Sequence, residues 1–152
     1  MPKSALSILC SAAATRVPFA YDPSISISGY GDACDKLGQE AAKYEWSGYV
    51  MSTVLVYLAD KGIDLLHSEH DDVVKTLRDT GASTATILTN AHKQSYLEAL
   101  SQTFSKSELR DYWRQHHEAD DDLGDAMLDG IRTATKALRR VDDTTVVIVD
   151  IG

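Results

Sequence analysis

Apolar residues recur along this chain with two different periods. Trp46, Tyr49, Val50, Thr53, Val54, Tyr57 and Leu58 fall at the i, i+3, i+4, i+7 spacing of a helix, and Met51 and Leu55 widen the stripe. A helix apolar over so much of its circumference is expected at the centre of the fold, with Trp46 packed in the core. Lys61 followed by Gly62 reads as a basic last turn and a left-handed cap. Ser68-Glu69-His70-Asp71 has the form of a capping box, leads into Val73, Val74 and Leu77, and is closed by Gly81. Ser105-Lys106-Ser107-Glu108 is a second box, ahead of Leu109, Tyr112, Trp113 and His116. Trp113 is expected in the core, and His116 at its edge. Leu123, Met127, Ile131, Ala134, Leu138 and Val141 trace the stripe of a last helix.

Period-2 patterns are shorter. Ser24-Ile25-Ser26-Ile27-Ser28 alternates as a half-exposed strand does. Thr84–Thr89 is β-branched and reads as a strand, although a helix from Ser83 to Phe104 fits nearly as well. Asn90 is placed to cap a helix carrying Leu97, Leu100 and Phe104. Thr144–Val149 is the strongest strand, apolar enough that both its faces should be covered. Residues 4–10 read as a short buried strand that would pair with it and bring the termini together. The expected fold is therefore α+β: one domain over residues 1–152, mostly helical with about five helices, and a small sheet that includes the C-terminal strand. An α/β arrangement is the alternative.

Composition narrows the function classes. At 152 residues with 43% hydrophobic and 25% charged positions, the chain suits one globular core that needs no covalent staples. Asp and Glu number 23 against 15 Lys and Arg, a net charge of −8. That excludes nonspecific nucleic-acid binding, which needs clustered positive charge, and disfavours anionic membrane surfaces. No apolar run approaches the ~20 residues of a membrane span. Two cysteines, Cys10 and Cys34, are too sparse for a disulfide framework and suit reduced, packed thiols in a cytoplasmic protein. Cys34 lies near a helix start, where a thiol pKa can fall, but a packing role is the expectation. Lys3 followed by Leu6, Ile8, Leu9 and Ala12–Ala14 imitates a secretory leader, yet Ser7 and Ser11 break the short apolar stretch.

Candidate chemistry is concentrated in two places. Between Arg114 and Arg132 there is no lysine or arginine, and the interval holds Glu118, Asp120, Asp121, Asp122, Asp125 and Asp129. On one continuous helix, Glu118, Asp122, Asp125 and Asp129 would share a face and repel by a few tenths of a kcal/mol per pair. Acids at a helix start also complement the macrodipole, with Asp121 or Asp122 as the cap and Lys136, Arg139 and Arg140 as the matching basic end. The second place is a pair of histidine clusters, His67 with His70 and His116 with His117, each beside carboxylates of the kind that bind zinc, iron or manganese. No GxSxG elbow, Walker A loop or GxGxxG is present. The leading expectation is a small acidic protein-binding module, concretely an immunity or antitoxin-type inhibitor, docking a basic protein partner through these acids without a cofactor. A metal-dependent hydrolase built on the four histidines is the alternative, and a structural or accessory subunit is a third reading. A homodimer through the edge of the small sheet is the other association considered.

Overall fold

The computed structural model describes residues 1–19, 22–117 and 121–151, with backbone alone at 16–19, 22–23 and 25–27. After a 3-10 turn (Lys3–Ala5) come α1 (Leu6–Ala14), β1 (Arg16–Phe19), β2 (Asp22–Ser28), α2 (Tyr30–Leu37), α3 (Gly48–Asp60) and α4 (Asp71–Asp79). Then follow β3 (Thr84–Leu88), α5 (Asn90–Leu100), α6 (Lys106–His117), α7 (Gly124–Arg139) and β4 (Val147–Asp150). The described residues thus form a mostly helical α+β fold with seven α-helices, rather than about five. It has two small antiparallel sheets, β1–β2 and β3–β4. Residues 84–88 are strand, not helix.

The β3–β4 ribbon separates two layers of helix. Odd residues of β4, Val147 and Val149, pack on the large core built by α3, α5, α6 and α7. Even residues, Val146 and Ile148, pack with Leu6, Leu9, Val74, Leu77 and Ile87 on the side of α1 and α4. All five residues of β3 are buried. Both faces of β4 are covered as expected, yet Val147–Val149 remain only half-buried. The exposure comes from an edge, not a face.

Residues 4–10 are not a strand. Ala5, Leu6, Leu9 and Ala13 are buried at helical spacing, and residues 11–14 are mostly alanine, a strong helix former. β4 pairs with β3 instead. The termini still meet, because Pro2 bridges Thr145 and Met1 exchanges two backbone bonds of 2.8 Å with Val146. Three helix starts also differ from expectation. Ser47 caps α3 by accepting from Tyr49 N at 3.1 Å, so Trp46 lies before the helix and 45% exposed. Thr89, not Asn90, is the cap of α5; its N–H donates to His92 Nδ1 at 3.1 Å, while His92 Nε2 donates to the His67 carbonyl at 2.7 Å. Leu123 occupies the cap position of α7, and Asp122 accepts from Gly124 N at 3.3 Å. The caps at Gly62 and Gly81 follow expectation, with φ of 82° and 88°.

α3 and α7 approach closely at Gly130, where a Cβ would sit 2.9 Å from Val54 Cγ2. The ribbon carries a bulge, since Thr84 and Thr86 oppose consecutive residues Asp150 and Val149. Arg78 satisfies the carbonyls freed there: Nε donates to Thr84 O at 2.8 Å and Nη2 to Ala85 O. Before β4, Asp142 accepts from Thr144 N, Thr144 Oγ1 and Thr145 N at 2.8–2.9 Å.

Two predictions follow from these turns. Arg78→Ala should lose about 1–2 kcal/mol in urea unfolding, because two strand carbonyls lose a charged donor, and Arg78→Lys should recover only part of it. The backbone and hydroxyl donors around Asp142 hold its carboxyl down at about 2, against an ordinary 3.8. A depressed carboxyl adds stability that is complete above pH 3.8 and lost as pH falls through about 2. Asp142→Asn should flatten that interval in an acid-unfolding series.

Candidate functional site

α3 and α6 lie side by side, joined by aromatic and charged contacts. Leu109 and Trp113 face the core from α6, and the next residue on that face is His117, not His116. The His117 ring lies 3.9 Å from the Trp113 ring and meets the Tyr49 ring edge-on at 4.9 Å. Its Nδ1 is 2.8 Å from Tyr49 Oη and its Nε2 is 2.9 Å from Thr53 Oγ1. His116 points outward, stacks on Tyr112 and donates from Nδ1 to Tyr112 O at 2.9 Å. Further along the seam, Lys61 pairs with Glu108 at 2.5 Å and holds that carboxyl below its usual range.

At the N-terminal end of α3 the surface is aromatic. Tyr49 is 62% exposed. Trp46 donates from Nε1 to Asp129 of α7 at 3.4 Å. Tyr44, two residues earlier, donates to Ala126 O at 2.7 Å. The sequence placed Trp46 in the core; the missed signal was Ser47-Gly48, which starts the helix after it.

The acidic interval is not one helix. α6 ends at His117 and α7 begins at Gly124, so the shared face expected of Glu118, Asp122, Asp125 and Asp129 does not exist as one helical stripe. Glu118 and Asp120 lie outside the described residues. Asp121 and Asp122 are exposed in the connection and form no ion pair among the described residues. Asp125, in the first turn of α7, pairs with Lys106 of α6 at 2.5 Å. Asp129 pairs with Arg132 at 3.2 Å. Lys136 and Arg139 occupy the last turn, so the charges of α7 do complement its dipole.

The two histidine clusters do not come together. His67 lies beyond the C-terminal end of α3, with Nδ1 3.0 Å from Asp64, which raises the imidazole pKa and lowers the carboxyl. His117 meets Tyr49 and Thr53 toward the N-terminal end of the same helix, about 10–16 Å of rise before its last residue. His70 precedes α4, and its buried Nε2 has no hydrogen-bond partner among the described residues, Glu69 Oε1 lying 3.7 Å away. Among the described residues no set of three or more His, Cys, Asp and Glu is placed to hold a metal ion. Cys10 and Cys34 are free thiols packed against the α1–α2 core, and burial raises both above their ordinary pKa.

Replacing His117 with alanine should remove one hydrogen bond each from Thr53, which keeps its bond to Tyr49 O, and from the exposed Tyr49, together with the Trp113 contact. A loss of about 1–2 kcal/mol is expected in urea unfolding, with a change in Trp113 fluorescence. No protein-family model, curated protein or solved structure matches this chain.

Proposed function

We propose that this protein is a binding module that docks a basic protein partner, in the manner of an immunity protein or antitoxin occupying a positively charged cleft. The observation that supports it most is the placement of exposed aromatic anchors beside the acidic α6–α7 connection and the first turns of α7. Trp46 lies against Asp129, and Tyr49 lies against His117, the residue from which the acidic connection departs. Trp and Tyr are the side chains that most often carry binding energy at interfaces. A concentrated negative surface accelerates encounter with a positive one and fixes its orientation.

The acids have separate roles in this reading. Asp125 and Asp129 already hold Lys106 and Arg132, so removing them weakens the fold as well as the surface. Asp121 and Asp122 form no ion pair among the described residues, Asp122 accepting only from Gly124 N, and a basic partner would meet them first.

The test is capture of partners from the native cell on immobilised protein at low salt, followed by affinity measurements across an ionic-strength series. The expected partner is basic, and if it is a toxic enzyme its activity falls on binding. Asp121→Asn with Asp122→Asn should weaken binding about tenfold while changing stability by less than about 0.5 kcal/mol. Trp46→Ala should cost at least tenfold. An affinity independent of salt, or unchanged in both variants, would overturn the reading.

A further inference from the structure

Successive residues of a strand aim their N–H and C=O groups at alternate neighbours. Ile151 N donates to Ser83 O at 3.1 Å, so 147, 149 and 151 face β3. Val146 exchanges its bonds with Met1, on the opposite side. By the same parity the N–H and C=O of Ile148 and Asp150 point away from β3, just beyond Met1, and neither residue makes a backbone bond there among the described residues. What they meet is a cavity of about 430 Å³, lined by Met1, Tyr30, Ile148 and the acidic residues Asp35, Glu40 and Asp150, the last also accepting from Ser83 Oγ. The facing wall is the coil at residues 39–42, which forms no hydrogen bond among the described residues. The slot is therefore bordered by the unpaired edge of β4 on one side and by a coil without a backbone ladder on the other. On the other edge of the ribbon, Arg78 takes the carbonyls of Thr84 and Ala85.

We propose that this slot binds an extended, basic segment of a partner protein as a third strand, antiparallel to β4 and in line with Met1–Lys3. Main-chain bonds to Ile148 and Asp150 would supply affinity, and side chains on alternate positions would supply selectivity. Ile148 and Asp150 project to the same face, so the ligand residue opposite Asp150 is Lys or Arg and the residue two positions later, opposite Ile148, is apolar. Charge decides against a second copy of this chain as the occupant. Two β4 edges brought together would gather six carboxylates, whereas a basic peptide neutralises three.

The probe is an acetylated, fluorescently labelled nonapeptide of threonines with one lysine two positions ahead of one valine, titrated into the full chain by anisotropy and by amide exchange. Without peptide, the amides of Ile148 and Asp150 should exchange at least tenfold faster than those of Val147 and Val149. Saturating peptide should slow them at least tenfold. Replacing the probe lysine with glutamate, or N-methylating the amides that face β4, should weaken binding at least tenfold, as should Asp35→Asn with Glu40→Gln. Asp121→Asn with Asp122→Asn should leave this affinity unchanged, which separates the slot from the surface described above. The proposal is overturned if the N-methylated probe binds equally well, or if protection appears in the α6–α7 connection instead. Protection of Ile148 and Asp150 that grows with protein concentration without peptide would assign the edge to a second copy and also overturn it.

Discussion

Everything in this fold depends on a two-stranded ribbon that is never left alone. Two strands are marginal in water, because each has one neighbour and a face to hide. Here both faces are hidden: odd residues of β4 go to the α3–α7 core and even residues to the α1–α4 side. With the faces settled, the remaining cost is at the edges, where backbone groups need partners. β3 meets that demand with a bulge whose carbonyls take Arg78, and β4 meets it only as far as Met1. The placement of α4 is part of this arrangement, because Arg78 reaches the bulge only from the last turn of that helix.

Local signals were legible wherever period and punctuation agreed. The capping box at Ser105, where Ser105 Oγ accepts from Glu108 N at 3.3 Å, the glycine caps at 62 and 81 and the stripe of α7 read correctly, while the pattern at Thr84–Thr89 left strand and helix open and the structure makes it strand. The N-terminal error had a physical cause. Leu6, Ile8 and Leu9 satisfy either period in so short a window, and only the buried set Leu6, Leu9 and Ala13 reveals a helix. Trp46 failed differently: the helical period extends back through it, but Ser47 caps the helix and α3 begins only at Gly48. The slot beside β4 was not legible at all. It depends on strand parity, on the position of Met1 and on a coil near residue 40, none of which any local spacing encodes.

The acidic residues show why charge in sequence and charge on a surface differ. A stretch of 17 positions without a cation, between Arg114 and Arg132, looked unrelieved. Folding relieves part of it from elsewhere, since Lys106 comes from the start of α6 and Arg132 from the next turn of α7. Exposed pairs of this kind are worth little in stability, so they do not explain why the acids are there. They do define which acids are spent and which are free. Asp122 still meets the first N–H of α7, whereas Asp121 lies off the helix, and neither forms an ion pair among the described residues.

The coil from 38 to 47 connects the two surfaces of this molecule. Its first half walls the slot beside β4, and its second half carries Tyr44 and Trp46, each tied by one bond to α7. Gly48 then passes so near Ile151 O that a Cβ would lie 2.1 Å from it, which locks the end of the coil against the end of the ribbon. A segment held at one end and by two aromatic side chains, with its remaining main chain unbonded, keeps its shape through side-chain packing rather than a backbone ladder. Such a segment accepts new backbone partners at low cost, because no existing bond must break first. That is the physical reason both proposed binding surfaces border an irregular stretch of the described, mostly helical fold.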